Sequence, residues 1–300
     1  MYISTSNRKH SWQDYTLIVP TVSVGNVGQL AADLVISTLW MERVGFILHP
    51  SLLPCVGNNP FAHEDATSCK MSTCCEVYES TSAQLVVIQQ RAPFVKGRKK
   101  EYAQWLSAWI KEHNFYQVAI LTSTFAQERL DHQLVGSPFR ILKSLTMEER
   151  SGEFFKTKMD LQDLESRVSF PAPSHAQQES NLNSSESKLL YMPGSGIAKM
   201  LFEDCQSLPV LVLMMFVSEG DNAGDGLAIA DQLNQWLNLI TIKVSPLCLS
   251  VPLSLSHSRF LFLSLSVFYT FTHTCTLSLS LTLSLSLSLS LHTGCWSTQY

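Results

Sequence analysis

Two short apolar runs constrain this chain most: QVAILTST at residues 117–124 and PVLVLMMFVSEGD at 209–221. A strand-length run without polar alternation fits a strand covered on both faces, as in a parallel sheet between two helical layers. The segments around them alternate in the same sense. YTLIVPTVSV (15–24) reads as a first strand and passes through Gly25-Asn26-Val27-Gly28 into a helix with Leu30, Leu34, Val35, Thr38 and Leu39 on one side. VGFILH (44–49) reads as the next strand, so strand, helix and strand form a βαβ unit with parallel strands. QLVVIQQRA (84–92) is a further strand. In the helix KKEYAQWLSAWIKEHN, Tyr102, Leu106, Trp109 and Ile110 share a face. GDGLAIADQLNQWLNLI carries a broad apolar face of Leu227, Ile229, Ala230, Leu233, Trp236, Leu237 and Ile240. The alternation predicts an α/β fold, a three-layer α/β/α sandwich with a largely parallel sheet.

A single domain is expected over residues 12–243, with a polar insertion at about 146–190. Within it TMEERSGEFFKTKMDLQDLESR (146–167) has helical character interrupted near Gly152. FPAPSHAQQESNLNSSESK (170–188) is rich in Pro, Ser, Asn and Gln and reads as a loop or insertion.

From Val244 the composition changes to a Leu-Ser-rich tail, residues 244–300, whose one charged side chain is Arg259. Leu-Ser alternation has the period of a strand, yet no turn residue breaks it from Phe260 to Leu291, far beyond ordinary strand length. The run is also long and uncharged enough for a membrane span, but alternation spreads serine around every face of a helix. A translated CT dinucleotide repeat gives the same Leu-Ser alternation in any frame. The expectation is a low-complexity tail of that origin, outside the fold and without a membrane role.

Without Arg259 the 21 Lys+Arg become 20 over residues 1–243, against 25 Asp+Glu. That acidic balance leaves no footprint for nucleic acid. The opening MYISTSNRKHSWQDY lacks the apolar core of a signal peptide, so an intracellular protein is expected. Eight cysteines are scattered with no C-x-x-C pair; the densest group is Cys69, Cys74 and Cys75, with His63 upstream. A zinc site wants tighter paired spacing, so reduced thiols and no metal are expected.

Each candidate site has a structural reading beside the chemical one. Gly25 and Gly28 lie where a phosphate could sit, but the third glycine, the acid after the second strand and the G-K-[ST] of a P-loop are all missing. The expected role is a tight turn and close helix packing, with no cofactor. YMPGSGIAKMLFEDC (191–205) is a second glycine turn before a helix; Lys199 is off P-loop spacing, and Ser195 is not in G-x-S-x-G. SEGDNAGDG (218–226) gathers Glu219, Asp221 and Asp225 at a strand end. Such carboxylates suit acid–base or metal chemistry, or more simply the cap of the following helix. PCVGNNPF (54–61) is a turn suited to shape and contact, with Cys55 its only nucleophile. No catalytic, cofactor or metal residues are therefore assigned.

Several blocks together carry a resemblance: PTVSVGNVGQLAADLVISTL, VGNNPF, SPFR (137–140), PGSGIAK and FVSEGDNAGDGLAIADQLNQWL. In this order they resemble the proteasome assembly chaperone two family over roughly residues 15–240. The resemblance implies an α/β/α chaperone that is not an enzyme and pairs as a heterodimer with a sister chaperone. It implies binding to proteasome α subunits, promotion of α-ring assembly, and a cytoplasmic and nuclear location. The alternative is a nucleoside-phosphorylase-like ligand-binding protein or enzyme. The C-terminus departs from the family. The Leu-Ser tail replaces the family's own short segment, and tyrosine stands last, after Thr298 and Gln299, rather than second to last as in hydrophobic-Tyr-x endings.

Overall fold

A computed structural model of the chain describes residues 1–5, 11–61, 70–168 and 188–240. The Leu-Ser tail, most of the Pro- and Ser-rich stretch at 170–188, and Cys69 with His63 lie outside the described residues.

The chain runs β1 (Tyr2–Ser4), β2 (Thr16–Pro20), α1 (Val27–Thr38), β3 (Glu42–Ile47), β4 (Val56–Asn58), β5 (Met71–Thr73), β6 (Cys75–Ser80) and β7 (Leu85–Gln90). It continues through α2 (Lys99–His113), β8 (Gln117–Phe125), β9 (Phe139–Lys143), α3 (Leu145–Thr157), β10 (Arg167–Val168), β11 (Lys188–Leu189), α4 (Ala198–Asp204), β12 (Val210–Val217) and α5 (Ala223–Leu237). Eight strands form one sheet in the order β1-β3-β6-β7-β2-β8-β12-β9. The central four, β7, β2, β8 and β12, are parallel; antiparallel strands complete both flanks. β4 pairs with β5, and β10 with β11, as two small antiparallel ribbons.

Both faces of the sheet are covered, which is why its central strands read as unbroken apolar runs. Leu17, Val19, Val118, Ile120, Val210 and Val212 face the layer of α2 and α4, where Tyr102, Leu106, Ala198 and Leu201 are buried. Their neighbours Ile18, Ala119, Leu121, Leu211 and Leu213 face α1, α3 and α5, against Val35, Met147, Phe155 and Ile229. The period of two along each strand thus divides one apolar run between two helical layers. Helix ends follow local chemistry. Ser144 accepts the Met147 N–H at 3.3 Å as the cap of α3. Asn114 and Asn238 end α2 and α5 in the left-handed conformation, which asparagine tolerates.

Three sequence expectations are corrected. β3 runs in the same direction as β2, but β6 and β7 lie between them, so the βαβ crossover spans two intervening strands. Gly152 does not interrupt α3: it lies inside the helix, buried against the Glu148 side chain, and the helix runs on to Thr157. The folded unit also reaches residue 2, because β1 pairs along β3 from Tyr2↔Ile47 to Ser4↔Gly45. Among the described residues, no helix is long and apolar enough to cross a membrane.

Candidate functional site

The chain turns from one half of the sheet to the other between β2 and β8, and in open α/β sheets ligands enter at the carboxyl ends of such strands. Here that crevice is filled by the protein. The Thr21 and Thr122 hydroxyls lie 2.9 Å apart, and each stands 3.1 Å from the Ser195 carbonyl oxygen. The Ser123 hydroxyl donates to the Val24 carbonyl at 2.5 Å, and the Thr124 hydroxyl to the Pro193 carbonyl at 2.6 Å. The Val24 N–H donates to the Gly194 carbonyl at 3.2 Å. The PGSG loop therefore closes over the strand ends and uses up their polar groups.

Both glycines of the first turn serve packing. Gly25 has φ +65°, and a Cβ there would stand 2.7 Å from the Asn222 side chain. A Cβ on Gly28 would meet the Leu121 carbonyl oxygen at 2.7 Å, so glycine lets α1 lie directly on β8. Ser195 is buried with its hydroxyl donating to the Met192 carbonyl at 2.8 Å, and Lys199 donates to the Leu190 carbonyl at 2.9 Å. Neither faces a base or an open phosphate cradle.

In the acidic turn, Asp221 accepts the Ala223 N–H at 3.2 Å at the start of α5, and Asp225 accepts from Asn222 Nδ2 at 2.8 Å. Of the two, only Asp221 meets a backbone N–H of the helix start; the N-cap residue Asn222 makes no side-chain cap hydrogen bond. Cys74 and Cys75 are buried on β6 and before it. Burial pushes both thiols up, Cys75 to about 12, with the Tyr102 hydroxyl 3.6 Å from its sulfur. Thiols held protonated are poor metal ligands. Among the described residues, no group of His, Cys, Asp and Glu side chains could hold a metal ion.

An open cleft of about 500 Å³ lies at the amino ends of the central strands, lined by Tyr116, Phe154, Trp236, Leu237 and Leu239 among others. Arg150 is the one charged side chain of its lining, and it is held by the Tyr116 carbonyl at 2.6 Å and the Tyr116 ring at 4.1 Å. The lining mixes these apolar side chains with Thr16, Gln117 and Ser151, and no His, Cys, Asp or Glu stands among them to act as a base.

The remaining blocks shape surfaces. In VGNNPF, β4 forms the exposed ribbon with β5, and Val56 and Met71 project from it into solvent. Asn59 Oδ1 accepts the Phe61 N–H at 3.2 Å, and the Phe61 ring packs on Tyr78 with centroids 5.4 Å apart. In SPFR, Arg140 is buried; its guanidinium donates to the Ser137 and Phe139 carbonyls and pairs with Glu165 at 3.3 Å. Burial by itself would raise the Glu165 carboxyl. Hydrogen bonds from its own backbone, Gln133 and Arg140, and the Arg140 charge, hold it below the usual glutamate range.

Sequence reasoning missed the loop between β8 and SPFR. It presents Arg129 beside the Phe216 ring and the exposed pair Leu134 and Val135. The available signal was two adjacent apolar residues before Gly136 in a mostly polar loop. It also missed Glu76, a buried carboxylate that accepts from Arg43 at 2.6 Å, Tyr78 at 2.7 Å and the Thr73 N–H at 3.1 Å.

The sheet lies between two helical layers, the PGSG loop closes over the carboxyl ends of its central strands, and exposed apolar side chains such as Val56, Met71, Leu134 and Val135 stand on its ribbon and loops. The chain belongs to the PAC2 family, which it matches over residues 17–247. It is 41% identical to Proteasome assembly chaperone 2 of Nematostella vectensis over 229 residues, 75% of this chain and 90% of the relative. It is 38% identical to Proteasome assembly chaperone 2 of Danio rerio over 242 residues, 80% of this chain and 89% of the relative. Among solved structures, Pyrococcus furiosus PbaA, an archaeal homolog of proteasome-assembly chaperone, shares the fold. Its TM-score is 0.51 at 14% identity, covering 79% of this chain and 86% of that one.

Proposed function

We propose that this chain is a chaperone for assembly of the proteasome core particle. It works as a heterodimer with a sister assembly chaperone, binds proteasome α subunits, and promotes formation of the α-ring in the cytoplasm and nucleus. It acts by binding, without catalysis. The observation that carries this reading is its similarity, over most of its length, to relatives named Proteasome assembly chaperone 2. The closed crevice at the strand ends supports it, because the polar groups that would meet a small substrate there already serve the fold.

The surfaces assigned to partners are the β4–β5 ribbon with Val56 and Met71, and the turn at residues 218–226. A partner interface buries exposed apolar side chains of this kind. The test is co-expression of the full chain with the sister chaperone, followed by affinity purification through a tag on the sister. The reading expects a stable one-to-one complex. Purification of the sister alone, under conditions that retain the Danio rerio relative, overturns the heterodimer.

A further inference from the structure

The β4–β5 ribbon has a cysteine at the base of each arm. Its antiparallel register is Val56↔Thr73, Gly57↔Ser72 and Asn58↔Met71. One further step of the same register sets Cys55 opposite Cys74. The two turn to the same face. A Cβ on Gly57 would stand 3.4 Å from Ser72 Oγ, so these two positions share a face, and residues two along each arm return to it. Opposed residues of an antiparallel pair have Cα atoms about 4.5–5.5 Å apart, within the range of about 4.4–6.8 Å that a disulfide spans.

The backbone on both sides is tied to one segment, the turn after β7. The Cys74 carbonyl accepts the Arg91 N–H at 2.9 Å and the Ala92 N–H at 3.2 Å, and the Leu53 N–H donates to the Pro93 carbonyl at 3.1 Å. The two thiols differ in surroundings. Cys55 is exposed, whereas Cys74 is 7% exposed and its thiol donates to the Ile47 carbonyl at 3.9 Å. Burial first, and then the charge of Cys55, push the Cys74 thiol up, so the two sulfurs lie within reach of each other's field. The next residue, Cys75, points elsewhere: its sulfur lies against the buried Tyr102 hydroxyl.

We propose that Cys55 and Cys74 are a reversible oxidation site, joined by peroxide into a disulfide that closes the base of the β4–β5 ribbon. The exposed Cys55 reacts first, because the thiolate is the nucleophile and the Cys74 thiol is buried and protonated. The Cys55 thiolate attacks one oxygen of hydrogen peroxide. The O–O bond breaks, and Cys55 becomes a sulfenic acid. The hydroxide that leaves takes up the proton Cys55 released and becomes the first water. The Cys74 sulfur then attacks the Cys55 sulfur. The S–S bond forms, the S–O bond breaks, and the Cys74 proton joins the departing hydroxide as the second water. Two thiols have lost two electrons and two protons, and one peroxide has been reduced to two waters. The bond ties together the arms that carry the exposed Val56 and Met71.

The test uses the full chain, reduced, freed of reductant, treated with hydrogen peroxide at neutral pH, then alkylated and digested without reduction. Cleavage after Glu64 separates Cys55 from Cys69, and fragmentation of linked peptides separates Cys74 from Cys75. The expected product is one linked pair, Cys55 with Cys74, two hydrogens lighter than its reduced parts. Peroxide should slow iodoacetamide labelling of native Cys55 by about tenfold or more, and dithiothreitol should restore it, as it would not for a sulfinic acid. Cys74→Ser should abolish the pair and leave a Cys55 sulfenic acid that dimedone traps. Cys69→Ser should leave the pair intact. Oxidation in urea should scatter Cys55 among several partners, because the fold no longer selects one. Cys55 over-oxidised without a linked peptide overturns the proposal, as does native Cys55 joined to Cys69, Cys75 or a second chain. An equal yield of the Cys55–Cys74 pair in urea also overturns it.

Discussion

A Cβ on Gly25 would lie 2.7 Å from both Cγ and Oδ1 of Asn222. This contact brings the turn after β2 against the start of α5. Asn222 is buried and donates through Nδ2 to the Ser218 carbonyl at 2.9 Å and to Asp225 at 2.8 Å. The two segments that would form the walls of a ligand crevice touch each other instead.

Substitution at these close approaches should be costly. Gly25→Ala combines a left-handed backbone with a clash, and Gly28→Ala drives a methyl into the Leu121 backbone, which has no room to yield. Each should lower unfolding free energy by about 1–3 kcal/mol. Gly57→Ala on the exposed ribbon meets only Ser72 Oγ at 3.4 Å and should change stability by less than about 0.5 kcal/mol. Urea unfolding of the three variants measures the contrast; equal effects at Gly28 and Gly57 would contradict the packing account.

The filled crevice should not accept a nucleotide. Isothermal titration with ATP, NAD or a nucleoside is expected to show no saturable binding. Micromolar binding abolished by Thr122→Val would reopen the ligand-binding alternative.

Stability should respond to acid through Glu165. Its folded carboxyl titrates below the ordinary glutamate value, so its contribution is fully present above that value and is lost as pH falls through the depressed one. Glu165→Gln should be destabilised near neutral pH by about 1–3 kcal/mol, because the buried Arg140 guanidinium loses its anion. The loss should shrink in acid, so thermal midpoints of the two proteins should converge as pH falls. A constant gap across that range would show that Glu165 does not act through its charge.

Thiol chemistry should separate the cysteines. Cys55 is exposed, whereas Cys74, Cys75 and Cys205 are buried with thiols pushed upward. Iodoacetamide labelling of the native protein, read by peptide mapping, should modify Cys55 quickly and the other three only after unfolding. Rapid labelling of Cys75 would contradict its burial against Tyr102.

The elements that were legible in the sequence are those in which one physical requirement dominates. β8 and β12 are sandwiched between layers and carry apolar runs at 118–121 and 210–217, although β8 ends in Thr122, Ser123 and Thr124 before Phe125. α2 buries the face that its spacing shows. α1 instead buries Val27, Ala31, Ala32, Val35 and Ile36 and leaves Leu30 exposed, so of the face read from its sequence only Val35 is buried. β6 was not legible because its second residue is Glu76, a charge acceptable in the interior only once Arg43, Tyr78 and the Thr73 N–H surround it. β9 was hidden by Arg140, whose partner Glu165 is distant in sequence. β1 is three residues long and owes its existence to β3. At the site, the glycine turns were legible as turns. The pairing of Arg140 with Glu165 was not, because it depends on which acids the fold brings near.

The central claim is that this chain acts by holding proteasome α subunits in the company of a sister chaperone. Its most direct test is native mass spectrometry of α subunits assembled with and without the co-expressed pair containing the full chain. The account predicts a stoichiometric complex of the chaperone pair with α subunits and a higher yield of single α-rings. Unchanged ring yield, with no chaperone-bound α subunit detected, would contradict it.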